Sequence, residues 1–171
     1  LVQFIAPDFF GNPATLNYFG VWNYGEFVGY IGIVSLFLAA CSFLSKNRKE
    51  TLFFFGAIII SLLFALPTSI AKLPFELSLP FLSSAQPTRL IFLITFSLSV
   101  LAAFGFDILI RNKINKKVIL GTGFIFAVLF LSVWFIARSN NLLVAERNLI
   151  FPAIVLSLGV AFITIAIFTK N

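Results

Sequence analysis

Histidine is absent from the 171 residues, cysteine occurs once, and only 11% of the side chains are charged. Without histidine the commonest general base and metal ligand is missing, so catalysis by these residues would fall to carboxylates or to another part of the protein. The single thiol, Cys41, lies inside an apolar run, which excludes an internal disulfide framework and a thiolate metal site. It reads as a small buried hydrophobe. Ordinary soluble domains carry about 25% charged residues. With 60% hydrophobic residues and a mean hydropathy of +1.07, this chain calls for lipid rather than water around most of its surface.

What is present is a series of apolar runs separated by polar, proline-marked or basic segments. The longest organised stretch covers residues 80–107. A polar approach, Gln86-Pro87-Thr88, ends in Arg89, and an apolar run follows that closes on Ala102-Ala103-Phe104-Gly105-Phe106-Asp107. Between Arg89 and Arg111 only Asp107 is charged. At about 1.5 Å per residue such a helix spans roughly 30 Å, the thickness of a hydrocarbon core. Asp107 and Arg111, spaced i, i+4, predict a structural ion pair at its far boundary.

The expected fold is all-α, a polytopic transmembrane helix bundle with about five spans near residues 27–45, 51–67, 90–110, 118–137 and 149–169. Two interfacial loops, 1–26 and 68–89, and a short connection, 138–148, lie between them. Gly, Pro and Asn break up 1–26 while its aromatics hold it at the membrane surface. Gly25 and Gly29 have the small-xxx-small spacing that lets another helix approach. Pro67 ends the second span, Lys72 and Glu76 suggest a surface ion pair, and the greasy 73–82 stretch is expected on or in the membrane surface. Trp134 reads as an aromatic anchor.

The net charge of +6 resides in short clusters between apolar runs, as the positive-inside rule requires, so no nucleic-acid partner is expected. Lys46, Arg48, Lys49, Arg111, Lys113, Lys116, Lys117 and Lys170 fall on one side, and Lys72, Arg89, Arg138 and Arg147 on the other. That asymmetry predicts the tight turns and residue 171 in the cytoplasm, with residue 1 and the three longer segments outside. Leu1 stands first, and no basic stretch with a small-residue cleavage site precedes the first apolar run. The chain therefore reads as a piece of a longer protein, without a signal peptide in these residues.

The outer segments carry charges beside aromatics and supply the candidate site. Arg89 is the best single candidate, because a guanidinium at a helix mouth clamps a phosphate bidentately; the alternative is a snorkelling boundary arginine. Asp8 and Glu26 suit sugar hydroxyls or a divalent cation, or simply turns and caps. Trp22 and Tyr24, with Tyr18, suit stacking on a sugar or an isoprenoid tail, or an interface belt. Arg147 is a further contact for an anionic ligand, or orients the last helix. No catalytic residue, metal ligand or cofactor follows from these residues alone. The scarcity of polar residues inside the spans argues against a pore or proton relay.

Two stretches carry a family resemblance. Pro7-Asp8-Phe9-Phe10-Gly11-Asn12-Pro13, Asn17-Tyr18-Phe19-Gly20 and Trp22-Asn23-Tyr24-Gly25-Glu26-Phe27-Val28-Gly29-Tyr30-Ile31-Gly32 resemble the large outer loop and following helix of bacterial YfhO-like membrane proteins. Pro87-Thr88-Arg89, Phe96-Ser97-Leu98 and Leu101-Ala102-Ala103-Phe104-Gly105-Phe106-Asp107 resemble a later Pro-x-Arg helix of the same group. The likeness covers residues 1–111; beyond them the match is only that of apolar helices. It implies the GT-C superfamily of membrane glycosyltransferases, in a prokaryotic cell membrane. Such enzymes move a sugar from a polyprenyl-phosphate carrier to an extracytoplasmic cell-envelope acceptor. It also implies a catalytic acid outside these residues, with this part on the carrier and acceptor side and Arg89 as the natural phosphate contact. A divalent metal is implied by the resemblance only. A lipid or glycan transporter, and a non-catalytic membrane scaffold, are the competing classes.

Overall fold

The computed structural model describes residues 1–21, 23–44, 48–111 and 116–169, the side chains of Lys116 and Phe168 apart. Among these residues six α-helices follow in chain order: α1 Ile33–Cys41, α2 Arg48–Ala65, α3 Ser69–Glu76, α4 Ile91–Ile110, α5 Lys116–Ser139 and α6 Leu143–Thr169. Short 3-10 turns at Val2–Phe4, Pro13–Thr15, Tyr24–Glu26, Ser42–Leu44 and Pro87–Leu90 complete them, and no strand occurs among the described residues. The all-helical expectation holds.

The span count is met only in part. Among the described residues three helices are long and apolar enough to cross a membrane: Pro87–Ile110, Lys117–Ser139 and Leu143–Ile167. A fourth is reached only if α2 and α3, bent 67° at their junction, form one span. Helix length and composition thus give three to four of the expected five spans among the described residues. The reason lies mainly in the first expected span, 27–45, where regular helix begins only at Ile33. Gly32 adopts φ +93°, a left-handed conformation that glycine reaches without steric cost and that an α-helix does not contain. What remains, Ile33–Leu44, is about 18 Å long at 1.5 Å per residue.

The other boundaries shift for local reasons. α2 stops at Ala65, before Pro67. Thr68 then caps α3, its Oγ1 accepting from the Ala71 N–H at 3.1 Å, so the expected loop 68–89 contains a helix. Within it Lys72 and Glu76 form no ion pair. α5 and α6 each extend past the expected limits and leave only residues 140–142 between them. Arg111 Nε meets Asp107 Oδ1 at 2.8 Å, the expected i, i+4 pair, and the Arg138 guanidinium lies 5.9 Å from the Trp134 ring centroid.

The short helix α1 is the centre of the packing. α4 and the α5–α6 pair both pack on it, and α2 covers the other side of α4. Ile33, Phe37 and Cys41 join the core shared with α5 and α6, where Phe37 meets Phe126 edge-on at 5.8 Å. Ala39 belongs to a second core with Ile58 of α2 and Ile94, Leu101 and Ala102 of α4. Cys41 is buried, as expected.

Glycine makes these approaches possible, though not where the small-residue spacing pointed. Residues 27–32 are not helical, and Gly29 packs against the Phe4 ring, whose Cζ would lie 2.8 Å from an added Cβ. The helix-on-helix approach is at Gly105 of α4. A Cβ there would sit 2.6 Å from the carbonyl carbon of Leu38 in α1. Outside these cores Phe92, Phe124, Phe135, Phe151 and Phe162 are all exposed. Apolar rings on the outer faces of long helices suit a lipid surround, and the chain is consistent with a membrane protein.

Candidate functional site

The first loop is built around Asp8. Its Oδ1 accepts from the Tyr24 hydroxyl at 2.5 Å and from Asn12 Nδ2 at 3.1 Å. Its backbone carbonyl accepts from Asn148 Nδ2 of α6 at 2.5 Å. Asn12 in turn caps the Pro13–Thr15 turn, its Oδ1 accepting from the Ala14 N–H at 2.9 Å. Asp8 thus ties loop, turn and α6 together, which is the turn-organising role weighed for it. Tyr18 stands edge-on to Tyr24 at 5.5 Å.

Partial burial, then the hydrogen bond to Asp8 and its negative charge, push the Tyr24 phenol up to about 12. The folded state therefore holds this proton more tightly than the unfolded chain, whose tyrosines titrate near about 10. The stabilisation is fully present below pH 10 and is lost as the pH rises through 12. An ultraviolet tyrosinate titration of the folded protein should show a late component from Tyr24. That component should vanish in Tyr24→Phe; its persistence there would assign the shift elsewhere.

Tyr24 and Glu26 share one 3-10 turn, Tyr24–Glu26. From it Glu26 reaches across 60 residues of sequence: its Oε2 accepts from Gln86 Nε2 and from Thr88 Oγ1 at 3.5 Å. The proline-marked approach to α4 is thereby fastened to the first loop. Arg89 follows on the Pro87–Leu90 turn; it is exposed, and among the described residues no carboxylate pairs with it.

Arg89 sits at a groove of about 680 Å³ whose walls include Phe64 of α2, Pro74 and Phe75 of α3, and Leu82, with Leu90 beside the arginine. A second groove of about 600 Å³ shares Phe64, Ala71, Phe75 and Pro87 with the first and adds Lys72, Glu76 and Thr88. The result is an apolar trough flanking α3, with one unpaired guanidinium among its lining groups.

The structure thus draws Asp8, Tyr24, Glu26 and Arg89 into one connected assembly. Arg147 is exposed on α6, one residue before the Asn148 that holds Asp8. Trp22 lies outside the described residues. Asp8 and Glu26 do not converge: each carboxylate is engaged by a different set of neutral donors. Among the described residues no three His, Cys, Asp or Glu side chains gather as metal ligands. No family model, curated protein or solved structure matches the chain. The reading of the site rests on its own geometry.

Two contributors were missed from the sequence. Asn148 sits at the polar start of an apolar helix, a position that flags a helix end but not its partner. Phe64 and Phe75 read as generic apolar positions, and only the bend between α2 and α3 turns them into walls of one groove.

Proposed function

We propose that this outer assembly binds a lipid-borne phosphate of the polyprenyl class and forms the carrier-side part of a membrane glycosyltransferase serving an extracytoplasmic cell-envelope acceptor. The observation that carries the reading is Arg89, an unpaired guanidinium at a groove walled by Phe64, Phe75 and Leu82. An amphiphile with an apolar tail and a charged head needs this combination: apolar walls for the tail and a fork of donors for the phosphate. The YfhO-like, GT-C-type resemblance supplies the transfer reaction, whose acid would come from elsewhere in a longer chain. Asp8, Tyr24 and Glu26 shape the roof, and Arg147 is a further candidate contact.

The proposed sidedness keeps residue 1 outside and residue 171 in the cytoplasm of a prokaryotic cell. It makes residues 27–44 a discontinuous crossing. Glu26 lies beside Thr88, on the turn that leads into α4, and Leu38 beside Gly105 of α4; Thr88 and Gly105 are about 25 Å apart along the helix axis. Residues 26–38 cover that depth because 27–32 are not helical. Irregular backbone is tolerated at such depth when protein surrounds it.

This break and the 67° bend between α2 and α3 favour one second reading, a lipid or glycan transporter, since transporters use discontinuous helices at their sites. The two separate in one experiment. Full-length protein in lipid vesicles, given a radiolabelled polyprenyl-phosphate sugar, should transfer the sugar to acceptor in an Arg89-dependent manner. Label that crosses the bilayer without transfer would replace the enzyme by the transporter. Neither transfer nor movement, with Arg89→Ala behaving as wild type, would leave a scaffold.

A further inference from the structure

We infer that Glu26 is a positioning residue that aims Arg89 into the groove, rather than a contact for sugar or metal; this rests on Arg89 being the phosphate contact. Gln86 and Thr88 flank Pro87, and both give their side-chain donors to the one Glu26 oxygen. Gln86 opens the Pro87–Leu90 turn yet makes no side-chain cap bond to it. Its side chain is committed to Glu26, while its carbonyl accepts the Arg89 N–H at 3.2 Å. The backbone before the proline is extended, with φ −87° and ψ 109° at Gln86, as a residue preceding proline requires. The turn that presents Arg89 is thus held from both sides of its proline by a residue of another loop.

The charge arrangement has a second effect. A carboxylate near the start of a helix is favoured by the helix dipole. Here it is occupied by two neutral donors and forms no ion pair with Arg89. A phosphate approaching Arg89 then meets a cation with no internal counter-ion to displace.

Glu26 also links this turn to the first loop. Tyr24, two residues earlier on the same 3-10 turn, is bonded to Asp8. A change at the roof of the site can therefore reach Arg89 through one short turn.

The test uses full-length protein in lipid nanodiscs and two measurements: amide hydrogen exchange across residues 88–90, and binding of a radiolabelled long-chain polyprenyl monophosphate. Glu26→Ala should speed exchange across the turn and weaken binding about tenfold, the loss expected when a charge-assisted contact is no longer aimed. Glu26→Gln, whose amide oxygen still accepts from Gln86 and Thr88, should hold exchange at the wild-type rate and binding within about threefold. In an Arg89→Ala background, Glu26→Ala should add almost nothing, because residues acting through one contact are not additive. Unchanged exchange in Glu26→Ala overturns the inference, as do losses that add fully to those of Arg89→Ala. If exchange responds but wild type binds no polyprenyl phosphate, the positioning contact stands and the carrier-lipid reading falls.

Discussion

Gly105→Ala is expected to lower the stability of the fold sharply, because its new methyl would meet backbone rather than a movable side chain. The added Cβ would sit against the Leu38 carbonyl, 2.6 Å from its carbon and 3.2 Å from the Leu38 Cα. Neither atom can retreat without moving α1, and α1 carries both cores. Overpacking costs about 1–3 kcal/mol and more where the neighbour cannot yield, so the upper end applies. That is a large fraction of a total stability of about 5–15 kcal/mol. Gly56→Ala and Gly121→Ala are the matched controls: nothing lies within 4 Å of a Cβ at either position. Each should be neutral or gain up to about 1 kcal/mol of helix propensity. Thermal denaturation in detergent, read as loss of monodisperse protein, compares the three. A Gly105→Ala protein as stable as the two controls would mean that α1 and α4 do not pack at this distance.

Arg89→Ala should show the largest effect on binding. A hydrogen bond to a charged group contributes about 1.5–3 kcal/mol, which is about 10- to 150-fold in affinity. Arg89→Lys should retain part of it: a lysine keeps the charge but loses the planar fork that meets a phosphate through two parallel bonds. Because Arg89 is exposed and pairs with no carboxylate, neither change should unfold the protein. A fall in affinity at constant melting temperature is therefore the expected pattern. Equal binding by wild type, Ala and Lys variants would make Arg89 a boundary arginine that snorkels to the interface.

Glu26 shows why a side chain's role is harder to read from sequence than its location. Acidic, beside aromatics and at the expected outer end, it was a plausible ligand for sugar or metal. Its carboxylate is instead engaged by Gln86 and Thr88, a contact across 60 residues that no local pattern encodes. Asp8 gives the same lesson: Asn12 lies four residues away, but Asn148 comes from the far end of the chain.

The sequence by itself determined the helical class, the strongly apolar character, the long apolar helix α4 with its Asp107–Arg111 pair, and the proline-marked approach to Arg89. These follow from composition, run length, i, i+4 spacing and backbone restriction, all of which act within a few residues. Only the tertiary structure decided that the first apolar run begins as non-helical backbone, that α1 is nonetheless the packing centre, and that α2 and α3 bend into a groove beside Arg89. An apolar run of spanning length is compatible with helix or with buried irregular backbone. The choice depends on whether neighbouring segments can surround its peptide groups, and that is settled by elements distant along the chain.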